Sequence, residues 1–300
     1  MLIDTHCHIH DVDYSLDAEE VLLRAHEAGV MKVVCVGTDE LNSELAVEFA
    51  KKHEGVYATV GVHPHEIKDV FDYSALDRLV ESDSFLIVRP VDSIYSENGF
   101  ALGINRAPAP INTRAADVFL NKQNRQGSTV DDRKIIAIGE IGLDYFYDHS
   151  PRDKQIEALE IQIDLALKYD LPIVFHVRDA YDDFWSVLDN FKNVRGELHC
   201  FSDTMANAEE GLKCGLYISV NGMSTFTKNE AQKEMFASIP LNKLLLETDA
   251  PYLTPTPFRG KVNEPAFVRN VAEHHAMIRG ISVDAVADAT TTNACKLFCI

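Results

Sequence analysis

Six side chains of metal-binding type stand where short apolar runs stop. His6 and His8 close LIDTHCH, Glu140 follows IIAIG, His176 follows PIVF, His199 follows GEL, and Asp249 follows LLLET. A spacing of two places His6 and His8 on one face of an extended strand. A single residue of this kind is commonplace. A lone histidine is usually a satisfied core or surface group, and a carboxylate at a strand end is usually a helix cap or a solvated charge. Six around one cavity are another matter, because burying them is costly unless cations neutralise and coordinate them.

A tetrahedral catalytic ion takes about three protein ligands and a water, so four imidazoles and two carboxylates suit two divalent ions. Chain order assigns His6, His8 and Asp249 to one ion, His176 and His199 to the other, and Glu140 to both as a bridge. Ligation this rich in histidine favours Zn²⁺ or Mn²⁺, with Mg²⁺ the harder, oxygen-preferring alternative. Such a pair makes water a nucleophile near neutral pH and steadies the oxygen that gathers charge. Asp249 is placed to take the proton as general base while touching the first ion. Cys7 and Cys200 flank ligands but alternate to the opposite strand face, where packing is their role.

The elements that must hold these residues alternate along the chain. Strand patterns run over Leu2–His8, Lys32–Thr38, Val56–His63 and Lys134–Glu140, then Leu171–Val177, Gly196–Cys200, Leu216–Val220 and Lys243–Asp249. Most are continuous apolar runs, as parallel strands covered on their outer face require. Helical patterns separate them, and two more, at about Pro265–Ile278 and Val283–Phe298, finish the chain. Eight strand–helix units without a GxGxxG after the first strand point to a (β/α)8 TIM barrel, one domain over residues 1–300. The six residues then come from the ends of five strands and project to the C-terminal rim, where such barrels assemble their sites. One segment, 84–133, keeps neither period and reads as a solvated insertion with a short strand at Phe85–Val88. It lies between a helix and the fourth strand, so it leaves the barrel at the end away from the chemistry.

With 28 basic and 47 acidic residues, the net charge is −19. That excludes an extended nucleic-acid-binding face, since phosphate neutralisation supplies most of the affinity of such surfaces. DNA ends or a small phosphodiester, met locally by metal ions, stay compatible with it. No apolar run approaches the roughly 18 residues of a membrane span, and no secretion signal is visible. Six scattered cysteines without a CxxC pair read as free thiols in a reducing cytoplasm.

IDTHCHIH, GVHPH at 61–65, GEIGLDY at 139–145, FHVRDA at 175–180, LHCFS at 198–202, LLLETDAPYLTP at 244–255, RGKVNEP at 259–265 and TTNACKLF at 291–298 together resemble the TatD-type deoxyribonucleases. The likeness runs along the whole chain apart from the insertion. It implies an amidohydrolase-like barrel and metal-dependent hydrolysis of phosphodiesters, typically as a 3′–5′ exodeoxyribonuclease often assayed with Mg²⁺. It carries the family's metal ligands onto the same six residues. It further implies that His63 touches the substrate phosphate and that Arg178 and Arg259 lie near bound nucleotide, although Arg259 equally suits a cap on the loop after the eighth strand. Two departures stand out: the insertion, and Asp203 where a small residue is usual, which adds a carboxylate at the rim.

The competing readings are an amide or ester hydrolase (a deacylase or cyclic amidase) on the same barrel, and a non-enzymatic interaction protein. Glu140 at the bridge, where amidases often carry a carboxylated lysine, favours the phosphodiesterase, and a complete ligand set disfavours the non-enzyme. Tyr145, Phe146 and Tyr147 either stack a terminal base or pack the rim.

Overall fold

A computed structural model describes residues 1–67, 73–84, 133–147 and 149–300. Eight parallel strands pair each with the next in chain order. They are β1 (Leu2–Cys7), β2 (Val30–Val36), β3 (Val56–Val60), β4 (Ile135–Asp144), β5 (Ile173–Arg178), β6 (Gly196–Leu198), β7 (Tyr217–Val220) and β8 (Leu244–Leu246). The seam between last and first closes where Cys7 bridges Ala250, with the Asp249 N–H donating to His6 O at 2.9 Å and the His8 N–H to Ala250 O at 2.7 Å. The Asp4 carboxylate reinforces it by accepting from the Thr248 N–H (2.8 Å) and hydroxyl (2.6 Å). The expected (β/α)8 barrel is therefore the fold observed.

Helices α1 (Ala18–Glu27), α2 (Glu40–Lys52), α3 (Ser74–Ser84), α4 (Arg152–Tyr169), α5 (Tyr181–Leu188), α6 (Met205–Lys213), α7 (Met223–Phe226), α8 (Glu230–Ser238), α9 (Val268–Arg279) and α10 (Val283–Phe298) connect and cover the strands. Their starts follow capping chemistry: Asp17, Asp39, Thr204, Asn229 and Ser282 each accept from a backbone N–H in the first turn. The buried apolar faces divide into two clusters. One lies between the strands' outer faces and the helices, with Val33, Val47, Ile141 and Leu159 among its members. In the other, α10 sets Ala294, Leu297 and Phe298 against Ile3, Val34, Val174, Tyr217 and Leu245. That contact stoppers the barrel at the N-terminal ends of its strands and leaves the opposite rim for chemistry.

Strand bounds differ from the sequence expectation in ways that matter to the site. Strands β6 and β8 stop at Leu198 and Leu246, so His199 and Asp249 stand in the loops just beyond them. Strand β4 instead continues to Asp144, which puts Glu140 in its middle. Among the described residues, no helix is long and apolar enough to cross a membrane.

Residues 85–132, including the strand expected at Phe85–Val88, lie outside the described residues, as does the expected placement of the insertion. Its flanks belong to the compact unit formed by Met1–Asp83 and Lys134–Ile300. They are clasped together: Asp83 Oδ2 accepts from the N–H groups of Lys134 (3.0 Å) and Ile135 (2.8 Å). Ends held this close need only a short connection. Replacing residues 86–131 with a short Gly/Ser linker is expected to leave thermal stability and metal-dependent hydrolysis close to those of the intact chain. Loss of hydrolysis in a variant that still melts cooperatively would show that the segment contributes to the site.

Candidate metal centre

Two irregularities in strand pairing aim the ligands. Between Asp4 and Cys7, β1 uses three residues where β2 uses two, with Asp4 opposite Val33 and Cys7 opposite Cys35. The extra residue reverses the alternation. Below it Ile3 and Thr5 face the barrel axis, Thr5 Oγ1 lying 3.3 Å from Ser219 Oγ; above it His6 and His8 do, their Nε2 atoms 3.2 Å apart. Strand β4 repeats the device, setting Ile138 to Ile141 against Ile173 to Phe175, with Glu140 inside the irregular stretch.

Glu140 joins the two halves of the site. Its Oε2 lies 3.3 Å from His6 Nε2. Its Oε1 lies 2.8 Å from His176 Nδ1 and 3.4 Å from both His199 Nε2 and His63 Nε2. Asp249 Oδ1 completes the first half at 3.6 Å from His8 Nε2 and 3.9 Å from His6 Nε2. The six residues singled out from sequence are thus together. Three sets of ligand atoms each lie within 4.8 Å of one another: His6, His8 and Glu140; His6, His199 and Asp249; His63, Glu140 and His176.

The backs of the imidazoles decide what they present. His8 Nδ1 is 3.0 Å from Val36 O, a group that only accepts. His176 Nε2 is 3.0 Å from Asp144 Oδ2, and His199 Nδ1 is 3.1 Å from Glu247. In the neutral rings each outward nitrogen therefore carries the proton, which leaves each inward nitrogen's lone pair for a metal. Lone pairs converging on carboxylate oxygens repel unless a cation or protons lie between them, so this donor set fits a metal. His63 is built the other way. Its Nδ1 accepts the His65 N–H at 3.1 Å, which leaves Nε2 as a donor in the neutral ring. Gln162 fixes the chain just before it, accepting from the Val62 N–H at 2.7 Å and donating to Val62 O at 3.1 Å.

The charges respond to one another. Burial opposes ionisation of Glu140, but His199, His63 and His6 outweigh it and hold the carboxyl well below the usual range. Burial likewise opposes protonation of His8 and His199. Asp249 prevails at His8, raising it to about 9, and Glu247 with Glu140 raises His199 to about 10. Burial, opposed by Glu140 and assisted by the neighbouring His176 and His65, takes His63 down to about 4, so it is neutral at physiological pH.

Asp144 and Glu247 were not singled out from sequence. Asp144 Oδ2 also meets His65 Nε2 at 2.9 Å, while Glu247 Oε1 accepts from the Cys200 N–H (2.8 Å) and the Asn221 amide (3.1 Å). A signal existed: Glu247 precedes Asp249 by two, and Asp144 sits inside GEIGLDY.

The site opens into a cavity of about 800 Å³ whose wall includes His63, Arg178, Tyr147, Met223 and Tyr252. Arg178 is the only arginine or lysine lining it among the described residues. Three expectations change here. Arg259 does not line the cavity; it donates to Thr254 O at 2.7 Å and lies 3.8 Å over the Phe226 ring, tying down the loop after β8. Asp203 turns away, accepting from the Thr204 N–H (2.7 Å) and the Asn207 amide (2.6 Å). Cys200 lines the cavity instead of the core, because β6 has ended and its backbone is left-handed at φ 48°.

A family model described as TatD related DNase matches residues 3–299. The chain belongs to the TatD-related DNase family. The metal-dependent hydrolase YabD of Bacillus subtilis is 35% identical over 99% of both chains. A TatD protein of Erwinia tasmaniensis, named as a 3′-5′ ssDNA/RNA exonuclease, is 29% identical over 99% of both. The crystal structure of YjjV, a TatD homolog from Escherichia coli K12, superposes with a TM-score of 0.78 at 27% identity, covering 100% of this chain and 98% of that one. An organophosphorus hydrolase from Deinococcus radiodurans, at 13% identity and a TM-score of 0.56 over 99% of this chain and 92% of its own, shares the fold. This TatD-family chain is a metal-dependent hydrolase.

Two expectations follow from the geometry. Asp144→Asn and Glu247→Gln each replace an obligate acceptor behind an imidazole, so each is expected to weaken metal binding roughly ten- to a hundredfold; chelator competition measures this, and wild-type affinity would contradict it. Because His8 and His199 are protonated at about pH 7 without metal, loading must displace those protons. Metal affinity should therefore fall as pH falls, with proton release visible by calorimetry in buffers of different ionisation enthalpy. An affinity flat from about pH 6 to 9 would count against it.

Proposed function

We propose that the protein is a two-metal phosphodiesterase, most specifically a 3′–5′ exodeoxyribonuclease acting on DNA ends or a similarly small phosphodiester. The observation that carries this reading is Glu140, which turns one oxygen to His6 and the other to His176 and His199. In the proposed centre His6, His8, Asp249 and Glu140 would hold one ion, and Glu140, His176 and His199 would hold the other. Histidine-rich ligation favours Zn²⁺ or Mn²⁺, with Mg²⁺ as the alternative. When bound, such ions supply an acidified water and positive charge opposite the phosphoryl oxygens.

The chain's own residues do the rest. Asp249, at the cavity edge and held ionised against burial by His8 and His199, accepts the proton from the attacking water. His63 offers Nε2–H and Arg178 its guanidinium to the phosphate. Asp144 and Glu247 keep His176 and His199 in the required tautomers. Arg259 is left out because it does not line the cavity and its guanidinium is held by Thr254 O and the Phe226 ring. The relative named as a single-strand exonuclease supports the substrate class. The acidic chain, a cavity lined by one arginine and no lysine among the described residues, and six unpaired cysteines suit a local contact with strand ends in the cytoplasm. In this reading the barrel is one domain and the insertion takes no part in the chemistry.

The test is hydrolysis of a labelled single-stranded oligonucleotide after EDTA treatment, with Mg²⁺, Mn²⁺ or Zn²⁺ restored in turn. Shortening from the 3′ end that needs metal and is absent in Glu140→Ala is the expected result. Asp249→Asn should fold and lose roughly a hundred- to ten-thousandfold in turnover; near-normal turnover would remove the general-base role. A protein that binds two ions yet cuts no oligonucleotide would sink the nuclease assignment.

A further inference from the structure

Exposed aromatic side chains on this protein are not scattered. Among the described residues the exposed large aromatics are Tyr73, Phe146, Tyr147 and Tyr252, and three of these four stand at the mouth of the metal cavity. Tyr147 and Tyr252 line it, and Phe146 contacts Tyr147 with ring centroids 4.9 Å apart. The neighbouring Tyr145 shows the contrast. Its hydroxyl donates to Asp183 Oδ2 at 2.7 Å and Arg152 covers its ring at 4.2 Å, so it serves the rim's packing.

The two aromatic groups come from opposite sides of the barrel. Phe146 and Tyr147 follow β4 and Tyr252 follows β8, which are four strands apart in a ring of eight. The first group is braced by Arg178, whose guanidinium lies 4.0 Å over the Phe146 ring and 4.8 Å over the Tyr147 ring. The two rings meet edge to face, 89° apart, and both lie against the one arginine or lysine that lines the cavity among the described residues. Tyr252 is 61% exposed, with Met223 and Leu253 near it on the wall.

Leaving such rings in water is unfavourable unless something flat and apolar covers them. The net charge of −19 disfavours an extended charged grip on a polyanion, so beyond the phosphate at the centre the strand end must be held by uncharged contacts. Base–aromatic stacking supplies that affinity, and it tolerates any sequence because every base has a π-face.

We infer that Tyr252 and the Phe146–Tyr147–Arg178 group are two nucleobase-stacking platforms that grip the last bases of a single strand while its phosphodiester lies over the metal centre. This rests on the nuclease reading and adds to it where the bases go. The platforms act in binding, so they govern KM and leave the chemical step alone.

The experiment uses two labelled single-stranded DNA oligonucleotides that differ only in their two 3′-terminal residues, intact in one and abasic in the other. Wild type, Tyr252→Ala, the double variant Phe146→Ala/Tyr147→Ala, and Tyr252→Phe are compared on both, with thermal melts to show that each is folded. The abasic end removes both stacked bases and should raise the wild-type KM by roughly twenty-five-fold or more, at about five- to a hundredfold per base. Each alanine variant removes one platform and should show a rise of about five- to a hundredfold on the intact strand, little further change on the abasic one, and kcat within about twofold of wild type. Tyr252→Phe keeps the ring and should behave as wild type. Equal wild-type KM on the two strands, or alanine variants that lose equally on both, would overturn the platforms while leaving the nuclease intact. A wild type that cuts neither strand with any metal would remove the nuclease reading and this inference together.

Discussion

One buried carboxylate sets the terms for the rest of the molecule. Glu140 has four imidazole nitrogens within 3.4 Å and almost no contact with water. An anion in that position is tolerable only if positive charge is close by, and histidines so close together are tolerable only if something separates their lone pairs. The barrel supplies both conditions at fixed distances. Pairing irregularities in β1 and β4 point the side chains inward, acceptors behind the rings choose the tautomers, and the plug formed by α10 closes the far end. Much of the polar architecture exists so that one oxygen pair faces two groups of nitrogens.

The larger outline was readable from sequence because it rests on long, repeated signals. Continuous apolar runs separated by amphipathic stretches specify parallel strands under helices, and ligand-type residues at their ends specify the rim. What escaped was local. Alternation places His6 and His8 on one face, but it does not reveal the extra residue that turns that face inward. The same rule assigned Cys200 to the core, and it failed because β6 is three residues long and the backbone beyond it turns left-handed. Asp144 and Glu247 escaped for a different reason. A carboxylate that steadies a ligand looks like any other acid until its partner nitrogen is located. Arg259 shows the converse: position in a motif says nothing about where five N–H donors will be spent.

Charge is distributed with the same economy. The chain carries a net charge of −19, and among the described residues Arg178 is the only arginine or lysine lining the cavity. Under the proposed nuclease reading, a free strand end entering the cavity would meet the ions, a donor imidazole and aromatic side chains in succession, and discrimination between ends and interiors would follow from that contrast.

The seam between β8 and β1 has a consequence for how the molecule comes into being. Asp4 and Thr248, joined there, are 244 positions apart in the chain. The first histidines to leave a ribosome must wait for nearly the last strand before Asp249 arrives beside them. Contacts of such long separation form late, after the loop between them has been ordered. A nascent or truncated chain therefore cannot assemble a full cation site early. In the proposed centre, an ion held jointly by His6, His8 and Asp249 would mark a chain whose barrel has closed.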